Sequence, residues 1–107
     1  MMMTKWNVEA LTGYTPITTF WEDFCIAEHF GMSAIRDTYR RAFKAWKDNY
    51  KYITELAMVL NHKSWYFYDA GNAAVSQLYV DLYYKLDEWI LENLKGEELD
   101  YYYRVTD

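Results

Sequence analysis

No glycine or proline interrupts the chain between Gly31 and Gly71, or again between Gly71 and Gly96. Apolar side chains recur in both runs at spacings of three and four, the period of a helix with one buried face. No stretch shows the alternation of a half-buried strand. The expected fold class is therefore all-α, a compact bundle of about four main helices in a single domain spanning residues 1–107. The breakers sit where helix ends are expected. Thr19 with Glu22 in "TTFWE" reads as a capping box opening the first long helix, and Gly31 closes it. Ser33 is placed to cap "AIRDTYRRAFKAWKDN", and the chain then bends or breaks at Asp48-Asn49. Asn72 is placed to cap "AAVSQLYVDLYYKLDEWILENLK", which Gly96 ends. Ahead of these lie a short helix at residues 7–12 and a turn at Tyr14-Thr15-Pro16. The tail "EELDYYYRVTD" adds a final turn or two.

A chain of 107 residues has interior enough for one core, and the rings help to fill it: 12 Tyr, 5 Trp and 5 Phe. Each ring buries roughly 150–250 Å² when covered. The single cysteine, Cys25, rules out an intramolecular disulfide and fits a reducing compartment. The first residues, "MMMTKWNVEALTG", lack the apolar core of a secretion signal, and no apolar run approaches membrane-spanning length. A cytoplasmic protein with no membrane contact is expected.

The rings raise the question of what lies inside. In "HKSWYFYDAGN" four stand in a row. On a helical wheel Tyr52, Leu56, Val59, Leu60, Lys63, Tyr66 and Phe67 share one arc, with Tyr68 at its margin and the Lys63 ammonium reaching out to water along the edge. Three of the four rings are thus expected mostly inside, with Trp65 the exception. Trp65 falls on a second, mixed face with Glu55, Met58, His62 and Asp69. The next helix repeats the pattern. Val75, Leu78, Tyr79, Leu82, Leu86, Trp89 and Ile90 form its main stripe, and Val80, Tyr84 and Leu91 a smaller one opposite. A helix apolar on two sides is central in its own bundle or covered by another chain. Val80, Tyr84 and Leu91 are accordingly a candidate dimer interface, and a homodimer or a protein partner is expected.

The charge is unevenly placed. Net charge is −5, and residues 81–107, with eight acidic and three basic side chains, carry all of it. Residues 34–51 hold six basic and two acidic groups. Within them Arg36, Arg40, Lys44, Lys47 and Lys51 follow helical spacing and make a basic stripe. Its ordinary role is a solvated face, set against the acidic segment; its functional role would be docking to nucleic acid or to an acidic protein surface. No helix-turn-helix pattern adjoins it to orient it in a groove. Cys25 and His29, four apart with Glu28 between them, have the spacing of two metal ligands or of a thiol and its base, but nothing completes a zinc site; a small buried thiol is the preferred reading. Asp87, Glu88 and Glu92 could be imagined as an acid–base set, yet such pairs on an outer helix face are usually solvated. The same clustered carboxylates could imitate a phosphate backbone and occupy a basic channel on another protein. No phosphate loop, nucleophile elbow or zinc-protease motif is present. No catalytic residue, metal or cofactor is assigned, and an enzyme is not expected. The partner-binding candidates are the five stripe residues with Trp65, Asp87, Glu88 and Glu92.

The stretches "WNVEALTGYTPITTFWEDF", "IRDTYRRAFKAWKDNYKYITELAMVLNHKSW" and "NLKGEELDYYYRVTD" resemble a family of small proteins from phages and integrated mobile elements of gut Firmicutes. The resemblance covers nearly the whole chain. It implies an accessory protein acting inside a bacterial cell by protein–protein binding. Small acidic proteins of such elements include inhibitors of host defence, the anti-CRISPR proteins among them. A small nucleic-acid-associated accessory protein using the basic stripe is the alternative expectation.

Overall fold

Among the described residues five helices follow one another with very short connections. A computed structural model describes residues 15–106, with side chains from Thr19 onward. The helices are α1 (Thr15–Phe30), α2 (Met32–Trp46), α3 (Tyr50–Asp69), α4 (Ala73–Asn93) and α5 (Glu97–Thr106). The described residues contain no strand, so the protein is an all-α bundle. The short helix expected at residues 7–12 lies outside the described residues.

Several helix ends differ from expectation for local reasons. α1 starts at Thr15, with Pro16 in its first turn, where a missing N–H leaves no intrahelical bond unmade. Thr19 is therefore inside the helix, and its side chain hydrogen-bonds Asp23 rather than capping. A single residue, Gly31, separates α1 from α2; it turns the chain at φ +113°, which an L side chain rarely adopts. α2 begins at once at Met32, leaving Ser33 inside the first turn and no side-chain cap bond at the helix start. Between α2 and α3 the chain breaks: Lys47 ends one helix, and the Asn49 side chain accepts from the Tyr52 N–H at 3.3 Å to open the next. Asn72 caps α4 as expected, accepting from the Val75 N–H at 3.2 Å. α4 stops at Asn93, before Gly96. The tail is longer than a turn or two. α5 runs ten residues, with Glu97, Glu98 and Asp100 in its first turn and Arg104 in its last, a charge order that suits the helix dipole at both ends.

The core explains why α5 matters. α3 packs against each of the other four helices and most extensively against α4. Ile53, Leu56, Ala57, Val59 and Leu60 are buried there with Phe24 of α1, Ile35 of α2, Tyr79, Leu86 and Ile90 of α4 and Tyr102 of α5. Nearly every residue in the first half of α3 is buried, Glu55 on its mixed face included. α5 lies along that side, fastened by the Tyr102 hydroxyl, which donates to Asp87 Oδ1 at 2.5 Å. The second apolar face of α3 is thus covered from within the chain over its first half. Its second half is open among the described residues.

Two expectations about that second half are overturned. Lys63 does not reach out to water; its side chain is 1% exposed. Three of the four consecutive rings are outside rather than inside: Trp65 is 61% exposed, Tyr66 57% and Tyr68 66%, and only Phe67 packs against the core. The arc drawn on a helical wheel assumes that neighbours cover the helix along its whole length. At the end of α3 they do not. Tyr66 reaches α1 through an edge contact with Trp21, with ring centroids 6.4 Å apart.

Candidate functional site

Two small serines set the form of the α3/α4 contact. Ser76 donates its hydroxyl to the Ser64 carbonyl at 2.8 Å, and the Ser64 hydroxyl turns back to Asn61 at 2.6 Å. Both serines are buried with their hydroxyl hydrogen bonds made, and Asn61 lines the groove beside them. Because the floor residues are short, a groove of about 360 Å³ opens above them. Its walls are Trp65 and Tyr68 from α3, and Val80, Tyr83 and Tyr84 from α4. Trp65 meets Tyr68 edge-on at 5.9 Å, and Tyr83 lies 5.8 Å from Tyr84. No Asp, Glu, Lys, Arg or His lines the groove. Exposed acids stand beside it instead: Asp69 follows Tyr68 by one residue and Trp65 by one helical turn, and Asp81 precedes Tyr84 by three. The groove brings Trp65, Val80 and Tyr84, marked separately from sequence, into one surface. Leu91, two turns beyond Tyr84, is exposed but does not line it.

A second cluster lies inside, between α1, α3 and α4. Lys63 Nζ is 3.1 Å from Glu28 Oε2 and 3.0 Å from Cys25 Sγ, and sits 3.9 Å from the centre of the Trp21 ring. Glu28 in turn accepts from the Tyr79 hydroxyl at 2.5 Å. A buried ammonium is tolerable only with such partners, here a carboxylate, a sulfur and a ring face. Burial, with the bond to Glu28 second, pushes the Tyr79 hydroxyl far above its ordinary pKa. None of the grooves described here is lined by Cys25, Glu28 or Lys63. His29, four residues after Cys25, is exposed and outside the cluster, and Cys25 is only partly buried. Among the described residues no group of three His, Cys, Asp or Glu is placed to hold a metal ion.

Of the charged candidates, Arg40 and Asp87 make bonds within the protein. The break after α2 splits the basic stripe: Arg36, Arg40 and Lys44 lie on α2, Lys47 at its end and Lys51 on α3. Arg40 pairs with Asp37. Arg40 and Lys44 share a groove with Lys85, Glu88 and Glu92 of α4, floored by Tyr39, Phe43 and Trp89. The Lys51 ammonium is 5.9 Å from the Tyr101 ring centre. Asp87 is held by Tyr102, so that carboxylate anchors α5. All five stripe residues are exposed on the surface. No helix among the described residues is long and apolar enough to cross a membrane.

Sequence reasoning found Trp65 and missed Tyr68 as part of the same surface. It also missed the Lys63 cluster, although a signal was present. A lysine in the middle of an apolar arc, flanked by Leu60 and Phe67, needs a carboxylate on a neighbouring helix, and Glu28 was there to supply one. No family model, curated protein or solved structure matches the chain.

Proposed function

We propose that the protein works by binding another protein, without catalysis, and that the α3/α4 groove is its docking surface. The observation that carries this reading is the set of three exposed rings, Trp65, Tyr68 and Tyr84, around a groove whose two serine hydroxyls are already hydrogen-bonded. Tyrosine and tryptophan on a surface offer large contact area at low entropic cost, and they dominate binding energy where interfaces have been dissected. The partner chemistry follows from charge. Electron-rich ring faces, flanking Asp69 and Asp81, and a net −5 over residues 81–107 favour a basic segment. Its arginine or lysine side chains would stack on the rings while their charges meet the acids.

The resemblance to phage and mobile-element proteins supports a setting in the bacterial cytoplasm and a host protein as partner. A defence complex with a basic nucleic-acid channel has the required chemistry, which makes an anti-CRISPR-like inhibitor the concrete form of the proposal. The nucleic-acid reading draws less support. The stripe is divided between two helices, and Arg40, Lys44 and Lys51 already lie beside carboxylates or a ring.

Capture from a host lysate, repeated with variants, tests the reading. One host protein should be retained by the natural chain and by the double reversal Arg40→Glu/Lys44→Glu, and lost with Trp65→Ala and with Tyr84→Ala. Removing a central ring of this kind weakens binding by about 2 kcal/mol or more, roughly thirtyfold. Retention by both ring variants, or duplex DNA binding at low salt that vanishes on charge reversal, overturns it. Self-association in light scattering that Tyr84→Ala abolishes would give the groove to a second copy of the chain.

A further inference from the structure

The approach of Cys25 to Lys63 places a sulfur and an amine from two helices in direct contact, 38 residues apart in sequence. Hydrogen bonding and ring contact fix the amine there, with Glu28 at 3.1 Å and the Trp21 face at 3.9 Å, and solvent scarcely reaches it. Cys25 itself is only partly buried. It is also the chain's single cysteine, which leaves no second thiol within the molecule to form a disulfide. We propose that Cys25 and Lys63 are a modification site: under peroxide they join through a sulfur–nitrogen bond that ties α1 to α3.

The chemistry balances with hydrogen peroxide as the only oxidant. In the first step Cys25 sulfur loses two electrons to the peroxide, takes one oxygen as a sulfenic acid and releases one water. A sulfenic acid condenses with a nearby nitrogen to a sulfenamide. Here Glu28 accepts a proton from the Lys63 ammonium, and the freed electron pair on Nζ forms the bond to sulfur. The hydroxyl leaves sulfur with one remaining amine proton as a second water. The net change is loss of two hydrogens from the protein. Thiols reverse it by attack on sulfur, which releases the amine. Elsewhere in such a chain an oxidised thiol would continue to the sulfinic and sulfonic acids; the adjacent amine diverts it to a reversible product.

Intact-mass measurement of the full chain after brief exposure to hydrogen peroxide tests the proposal. The expected product has lost two hydrogens and joins the peptides containing Cys25 and Lys63. It resists trypsin after Lys63, melts at a higher temperature and reverts with dithiothreitol. Cys25→Ser should abolish the product. Lys63→Arg, which keeps a positive charge in the cluster, should give sulfinic and sulfonic acid at Cys25 in its place. Should that variant fail to fold, the natural chain still decides: a sulfenic-acid trap such as dimedone must label Cys25 far less than it labels the urea-unfolded protein. Stepwise oxygen addition at Cys25 with normal cleavage after Lys63, or a Cys25-linked dimer as the main product, overturns the proposal.

Discussion

Lys63 and Trp65 stand two residues apart on one helix, and each is where the other's chemistry belongs. The lysine is 1% exposed and the tryptophan 61%. The lysine faces α1 and finds a carboxylate, a sulfur and a ring. The tryptophan faces a groove floored by serines. A side chain's place is set by what its helix face meets, and hydrophobicity alone sorts neither residue correctly. The buried one is held between helices, whereas the exposed one forms a wall of the α3/α4 groove.

The largest expected effect breaks the buried half of this comparison. Glu28→Ala leaves the Lys63 ammonium inside with only a sulfur and a ring, and should lower unfolding free energy in urea by about 3 kcal/mol, the lower end for a buried pair since Glu28 is partly exposed. Adding Lys63→Met should restore most of that loss, because an apolar side chain of similar length needs no partner. Equal damage from Glu28→Ala in both backgrounds would mean that the carboxylate does not act through Lys63.

Alkaline pH probes the same interior from the tyrosine side. Burial raises the Tyr39 hydroxyl to about 12, and burial aided by the bonds to Glu28 and Asp87 raises Tyr79 and Tyr102 further still. In each case the folded state holds its proton more tightly than the unfolded chain. The stabilisation is therefore complete below the ordinary tyrosine value of about 10 and falls as pH rises above it. Each of the three should contribute a loss of about 1.4 kcal/mol per pH unit between there and its raised value. Urea unfolding at a series of pH values should be level near neutrality and steep above about 10. Tyr79→Phe, which keeps the ring, should make the slope shallower.

Smaller effects sharpen the comparison at the surface. Tyr102→Phe removes the bond to Asp87 and should lower stability by about 1 kcal/mol. Hydrogen exchange should quicken first in α5, where the anchor is lost. Trp65→Ala should change stability by less than about 0.5 kcal/mol, as exposed substitutions usually do. A larger loss on that substitution would place the ring inside and remove it from the docking surface.

Much of this was legible in the sequence, and the failures have physical causes. The fold class follows from apolar spacing and from glycines at helix junctions, with Gly31, Gly71 and Gly96 all at positive φ. Leu78, Tyr79, Leu82, Leu86 and Ile90 of the main α4 stripe are buried as their spacing predicts, while Val75 and Trp89 are half-buried. Trp65 was readable as an outlier because it breaks the period of its neighbours. Tyr66 and Tyr68 were not, since a helical wheel assigns an azimuth and says nothing of how far the covering helices extend. Lys63 was misplaced because a long stem permits escape to water, and only the position of Glu28 on α1 decides otherwise. The length of α5 was hidden by a short, charged tail whose stability comes from docking Tyr102 on Asp87. The α3/α4 groove depends on two serines meeting between helices, a juxtaposition that no spacing within either helix reveals.

Hydroxyl-radical footprinting of the protein, alone and with a captured host protein bound, tests the docking claim most directly. Trp65, Tyr68 and Tyr84 should react readily in the free chain and become protected in the complex, while exposed Ile26 and Phe30 on α1 react equally in both. Unchanged reactivity of the three rings on binding, with protection appearing on α1 or along the basic face of α2, would contradict the account.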